Sequence, residues 1–205
     1  MDENGMRRTE VTAEMLRAML DRVRERSADP RTDLLLLATL VVTAGRASEI
    51  LTLTRGDVDA ERCLLRLSNE KGARWWPVPD YLVQELLSLA SERGSCNASD
   101  RVFVVRGRTA TYRPVSYHRL GTVLGGYRRP TDEPQPAITV AALRTRTIRL
   151  LAAHPEVTIT AALGHVPRGM ATFVRSGVSL GLVVAVVETF GGDHPWLHEP
   201  PDARA

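Results

Sequence analysis

Lysine is nearly absent from this chain: of 27 basic residues among 205, 26 are arginine and the one lysine is Lys71. Cysteine is scarce too, and Cys63 and Cys96 stand in no metal-ligand or redox spacing, which excludes a disulfide framework. Aromatic residues make up 5% of the chain, and its four tyrosines, Tyr81, Tyr112, Tyr117 and Tyr127, all precede Arg128. The longest charge-free, strongly apolar stretch, Ser176 to Val187, is shorter than the roughly 20 residues a membrane-spanning helix needs. The opening MDENGMRR has acids ahead of its arginines and no apolar stretch behind them, unlike a secretory signal. These absences lead us to expect a cytoplasmic protein with no membrane partner. Nothing calls for a nucleotide or metal cofactor: Gly121, Gly125 and Gly126 form no phosphate loop, and the prolines around His194, His198 and Glu199 argue against a rigid metal site there.

What is present is an ordinary globular balance, 43% hydrophobic and 25% charged, enough for one sizeable domain. The net charge of +3 conceals a steep partition. Residues 1–100 carry 14 basic and 17 acidic side chains, whereas 101–175 carry 12 arginines against Asp132, Glu133 and Glu156. Residues 176–205 set Arg204 against four acids. A +9 block within one domain points to a polyanion-facing surface, because clustered arginines on nucleic acid release counterions. The plain alternative is a solvated face. Lys71 stands apart from the arginines because an ammonium can have its pKa lowered enough to donate a proton.

The apolar pattern predicts a helix capped by Thr12 and running to Arg26, with Met15, Met19 and Val23 on one stripe. A buried helix follows over Leu34–Val42, broken at Gly45, then a short helix from Ala47 to Leu53. Residues 63–67 and 74–78 read as strands around a turn at Lys71-Gly72, with one ring of Trp75-Trp76 inside and one outside. Asp80 is the expected cap of a helix to Glu92, followed by a strand at 102–105. Further helices are expected from Ser116 to Tyr127, Val140 to Ala153, Thr158 to Leu163, Ala171 to Ser176 and Val178 to Phe190. The division is a tail over 1–8, a domain over 9–190 and a proline-rich tail over 191–205.

Four segments stand out together. Thr43-Ala44-Gly45-Arg46-Ala47-Ser48-Glu49-Ile50-Leu51 is the first; Lys71-Gly72-Ala73-Arg74-Trp75-Trp76-Pro77-Val78-Pro79 is the second. Ala142-Leu143-Arg144-Thr145 is the third, and Leu163-Gly164-His165, with its histidine 21 residues after Arg144, is the fourth. In this order they resemble the catalytic domain of the tyrosine recombinases, the phage-integrase family. The first is similar to that family's T-G-x-R-x-S-E box with the glycine displaced by one. The second is similar to its hairpin lysine with proline eight residues on, the third to H-x-L-R-H and the fourth to L-G-H. His194-Pro195 is similar to its closing H-P. The resemblance covers residues 9–195 and implies an α+β, mainly helical fold with a small antiparallel three-stranded sheet.

It also implies roles. Transfer of a DNA phosphodiester to a side chain passes through a pentacoordinate phosphorane, whose extra negative charge suits two guanidinium forks and an imidazole N–H. By resemblance Arg46, Arg144 and His165 would surround those oxygens and Lys71 would protonate the leaving 5′ oxygen. Taken alone, Arg46 near Glu49 is also readable as a helix-surface ion pair, Arg144, Arg146 and Arg149 as a solvated helix face, and His165 as a core or capping histidine. The family's nucleophilic tyrosine lies nine residues after the histidine of L-G-H, and that position is Val174. Thr172 and Ser176 are each about 200° away around a helix and face elsewhere. Ala141 and Thr145 replace the two histidines of H-x-L-R-H.

We therefore expect a protein that binds double-stranded DNA, nucleoid-associated, in or regulating recombination or integration of a mobile element without cleaving DNA itself. An active recombinase drawing its tyrosine from elsewhere, an interaction partner of an active recombinase and a decaying remnant stay open beside it. Leu180, Leu182, Val183, Val184, Val186 and Val187 cover most of one helix, which is expected to be buried in its own core or to join Val178–Phe190 to another copy or to an active recombinase. The family's usual preceding helical domain has no counterpart in the roughly ten residues ahead of the first helix, which leads us to expect weaker, more salt-sensitive binding.

Overall fold

The computed structural model describes residues 11–70, 72–107, 109, 111–128 and 137–152. The expected helices beyond residue 152 and both tails lie outside the described residues.

The first helix, α1 (Ala13–Arg26), starts where expected: the Thr12 hydroxyl accepts from the Met15 N–H at 3.1 Å, satisfying one of the orphan donors of the first turn. Leu16, Met19 and Val23 form its buried stripe. It packs on α2 (Pro30–Thr43), the central helix, which meets α1, α3, α4, α5 and α6. That many neighbours is what a helix apolar on nearly every side requires. It begins four residues before the expected Leu34, with Pro30 in its first turn, where the missing N–H costs nothing.

A short helix α3 (Ala47–Leu51) follows, then a three-stranded antiparallel sheet in the order β1 (Val58–Asp59), β2 (Leu64–Asn69), β3 (Gly72–Pro77). The register pairs Leu65 with Trp76, Leu67 with Arg74 and Asn69 with Gly72. Leu65, Leu67, Arg74 and Trp76 are all buried, so β2 and β3 turn one face inward, and that face includes a charged residue. Trp76 is the inner ring and Trp75 is half-exposed.

Helix α4 (Asp80–Glu92) is capped by Pro79, not by Asp80. Asp80 is already helical, and its carboxylate accepts from Gln84 Nε2 at 3.3 Å instead. A second antiparallel pair, β4 (Val104–Arg106) and β5 (Tyr112–Pro114), is more than the single strand expected at 102–105. The second strand escapes a sequence reading because all three of its residues are exposed and none is aliphatic. Helix α5 (Tyr117–Leu124) is capped by the Ser116 hydroxyl. It stops three residues short of Tyr127, because Gly126 and Tyr127 take left-handed backbone at φ 63° and 52°. Helix α6 (Val140–Ala152) returns to α2.

Polar groups pin this helical layer. Asp33, fully buried in α2, accepts from Arg119 Nε at 2.8 Å and Nη2 at 2.9 Å, from the Ser27 hydroxyl at 2.6 Å, and from the Tyr127 phenol. Burial and the neighbouring Asp33 push the Tyr127 phenol up to about 12. Among the described residues no helix is long and apolar enough to cross a membrane.

Candidate functional site

The site is built around the C-terminal end of α2. A helix end leaves carbonyls without intrahelical partners, and two of those near the end of α2 are taken by side chains from other elements. The Trp76 indole donates to the Val42 carbonyl at 3.1 Å, and the Thr147 hydroxyl donates to the Val41 carbonyl at 2.9 Å. One segment is thereby clamped between β3 and α6. Within it, Ala44 holds φ at +47° and ends the helix one residue before the expected break at Gly45. Gly45 is needed for a different reason. A Cβ there would stand 2.6 Å from Ile50 Cδ1 and 2.8 Å from Thr43 Oγ1.

The next residue, Arg46, caps α3 and is half-exposed. Its backbone N–H donates to Glu49 Oε2 at 2.8 Å. The sequence also permitted a surface ion pair between these two residues, and the structure corrects that reading. Glu49 is buried, and its salt bridge is with Arg74, at 2.6 Å and 2.9 Å from the two terminal nitrogens. Asn69 Nδ2 adds a fourth donor at 2.5 Å. Burial raises the pKa of this carboxylate, but the hydrogen bonds from Arg74, the Arg46 backbone and Asn69 outweigh it and hold Glu49 below its ordinary value.

Arg144 enters from α6. Leu143 and Thr147 on the same helix are buried, and Arg144 is half-buried beside them. Burial lowers its pKa first, and the positive charges of Arg46 and Arg74 lower it further, with Glu49 opposing. Arg31 and Arg119 show the contrary case: burial pulls them down, yet hydrogen bonds to Glu92 and Glu85, and to Asp33, leave both raised. Three guanidinium groups and one carboxylate thus interact electrostatically in one region.

The structure therefore brings Arg46 and Arg144 within electrostatic range of each other. Lys71, His165 and Val174 lie outside the described residues. Ala141 is exposed, and Thr145 spends its hydroxyl on the Ala141 carbonyl at 2.8 Å within its own helix. Arg144, Arg146 and Arg149 do not form one solvated face, since Arg146 Nη1 donates to the Val11 carbonyl at 2.5 Å and only Arg149 is exposed. Arg74 and Glu49 both stand inside the motifs, but nothing in the motifs signals that Arg74 partners Glu49 or that Glu49 is buried. Strand parity was the available signal: if Trp76 points inward, so does Arg74 two residues earlier.

By sequence, the chain matches no family model and no curated protein. By structure it is similar to XerA recombinase, at 16% identity and a TM-score of 0.56 over 94% of this chain and 65% of that one. It is similar also to the Tn1549 transposon integrase in complex with a circular intermediate DNA, at 15% identity and a TM-score of 0.60 over 93% of this chain and 68% of that one. XerH site-specific recombinase bound to its difH substrate gives 17% identity and 0.56, over 88% of this chain and 53% of that one. The chain thus spans about two thirds of the first two proteins and half of the third. Its central helix, three-stranded antiparallel sheet and returning α6 make up the tyrosine-recombinase catalytic-domain fold.

Proposed function

We propose that the protein binds duplex DNA as a recombinase-like protein, seating a backbone phosphate at Arg46 and Arg144, and that it acts in or regulates recombination or integration of a mobile element without cutting DNA. The observation that carries this reading is that α6 brings the half-buried Arg144 within electrostatic range of Arg46 and Arg74 around Glu49, where burial first and then those two charges lower its pKa. Two forked guanidinium groups suit the non-bridging oxygens of a phosphate. The +9 balance of residues 101–175 supports the same partner. So do the neighbours named above, of which the Tn1549 integrase and XerH are complexes with DNA. By resemblance Lys71 and His165 complete the set around the phosphate. Val174 at the nucleophile position and Ala141 at the first histidine of the Arg144 box are the reason we place the protein among non-cleaving relatives.

Gel-shift titration of the native chain and Arg144→Ala on random duplexes, over a series of salt concentrations, tests the binding. Native affinity should fall steeply with salt, and Arg144→Ala should bind more weakly and with a shallower slope by about 1. Binding that is absent at low salt or indifferent to salt would overturn the reading. Nicked suicide substrates test the chemistry: a protease-sensitive covalent adduct on the native chain would make it an active recombinase with a nucleophile other than residue 174.

A further inference from the structure

Where α2 ends, two backbone donors change partner. In a continuing helix the N–H groups of Gly45 and Arg46 would bond the carbonyls of Val41 and Val42. Instead Gly45 donates to the Thr43 hydroxyl at 3.1 Å, and Arg46 to Glu49 Oε2 at 2.8 Å. Side chains from elsewhere take their places on the two carbonyls, Thr147 from α6 and Trp76 from β3. The direction in which Arg46 leaves the helix is thus tied to both replacements.

The two are not equivalent. Trp76 fastens a strand to the helix, whereas Thr147 stands on the helix that carries Arg144. It lies three residues after Arg144, a neighbour on the same side of α6, about 4.5 Å further along the axis. A threonine hydroxyl has one proton to give. At 2.9 Å from the Val41 carbonyl and 3.2 Å from the Leu143 carbonyl, Thr147 shares it between the last turn of α2 and the residue just before Arg144. Thr147 is fully buried, so water does not take over either bond.

Two other buried hydroxyls show what is particular to this one. Thr39 donates to the Leu35 carbonyl at 2.7 Å and Thr43 to the Thr39 carbonyl at 2.6 Å, each within its own helix. Such back-bonding is ordinary for a helical threonine. Thr147 does the same and also reaches a second helix, 106 positions away in the chain. The link matters because two guanidinium forks closing on one phosphate must be held to within about 0.5 Å of the working geometry.

We propose that Thr147 is a positioning residue, which sets the spacing of Arg46 and Arg144 for a single phosphate by holding the last turn of α2 to the turn of α6 that bears Arg144. It touches no ligand itself. The proposal rests on the DNA-binding reading above, and its test separates the two. Thr147→Val keeps the branched shape and removes the proton, while Thr147→Ser keeps the proton. Thr39→Val removes a buried hydroxyl that serves α2 alone, and so reports a lost hydrogen bond without a lost spacing. Melting curves set a temperature at which every variant is folded. Affinity for one random-sequence duplex is then measured against salt for these variants, for Arg144→Ala, and for Thr147→Val with Arg144→Ala.

Thr147→Val should bind several-fold more weakly, with a salt slope shallower by about 1. Arg144→Ala should cost much less in that background than in the native chain, because both changes damage the same grip. Thr147→Ser should restore affinity and slope, and Thr39→Val should bind like the native chain at a lowered melting temperature. Native affinity and slope in Thr147→Val, while Arg144→Ala is weakened, would overturn the positioning role and leave the DNA-binding reading standing. Equal weakening in Thr39→Val and Thr147→Val would reduce Thr147 to ordinary packing and overturn the proposal as well. If Thr147→Val does not fold, Thr147→Cys takes its place: its S–H is a weak donor, so an intermediate slope supports the proposal and a native one overturns it. A native chain that binds no duplex would overturn both readings.

Discussion

Glu49 and Arg74 form a two-point ion pair, 2.6 Å and 2.9 Å long, between a five-residue helix and the inward face of a strand 25 positions away. Their side chains are 0% and 10% exposed, so neither charge has water to fall back on. Removing one partner strands the other, and Arg74→Ala or Glu49→Ala should each cost about 3–5 kcal/mol in urea unfolding. Glu49→Met combined with Arg74→Leu should recover most of that stability. The combined variant lacks the carboxylate that takes the Arg46 N–H, so its affinity for DNA should stay below the native value even at native stability. Recovery of both together would mean that Glu49 does nothing for Arg46.

The same carboxylate sets an acid limit. Because its folded pKa lies below its unfolded value, near 4.3, the folded state gains stability from Glu49 above that pH and loses it as pH falls toward the folded value. Stability measured from neutral pH down to about pH 2 should therefore decline. In Glu49→Gln the decline should be shallower, from a lower starting point. Parallel declines in the two proteins would remove Glu49 from the acid limb.

Ala44 carries a backbone conformation that L residues disfavour by about 1–2 kcal/mol. Ala44→Gly relieves this, offset in part by the extra freedom of glycine in the unfolded chain, for a net gain of about 0.5–1 kcal/mol. Gly45→Ala drives a methyl into Ile50 and Thr43 and should cost about 1–3 kcal/mol. Denaturant midpoints of the two variants, moving in opposite directions, are the check. A destabilised Ala44→Gly would count against the backbone argument.

Covalent chemistry should not return with the phenol alone. On nicked duplexes we expect no adduct from the native chain, at most a trace from Val174→Tyr, and more from Val174→Tyr with Ala141→His. Position 141 is exposed and three residues before Arg144 on α6, the spacing at which side chains are neighbours on a helix. Equal yields from the single and double variants would show that the histidine of that box is dispensable here.

The nearness of Arg46 to Arg144 was legible because both sit in motifs whose order along the chain resembles that of a known catalytic domain. Glu49 was harder to read. Three residues after Arg46 on a helix, it satisfies the ordinary rule for a surface ion pair, and only the packing of Ile50 and Leu51 against the core draws its carboxylate inward. Arg74 was concealed by its charge, since a hydropathy pattern marks an arginine as outward even where strand parity with Trp76 turns it in. The β5 strand left no trace at all. Tyr112, Arg113 and Pro114 are held by backbone pairing to β4, and backbone pairing leaves no mark on side-chain pattern. The start of α2 at Pro30 was readable in principle, because proline is at ease in a first turn where it would end a helix further in.

The hydrogen bond from Thr147 to the Val41 carbonyl joins residues 106 positions apart. During synthesis, at about 5–20 residues per second, the segment bearing Arg46 leaves the ribosome roughly 5–20 s before the helix that completes its surroundings. Throughout that interval the nascent chain carries one arginine of the pair without the other. On the proposed reading the anion site is timed by translation itself, and nascent chains stalled ahead of α6 should bind DNA more weakly than the finished protein.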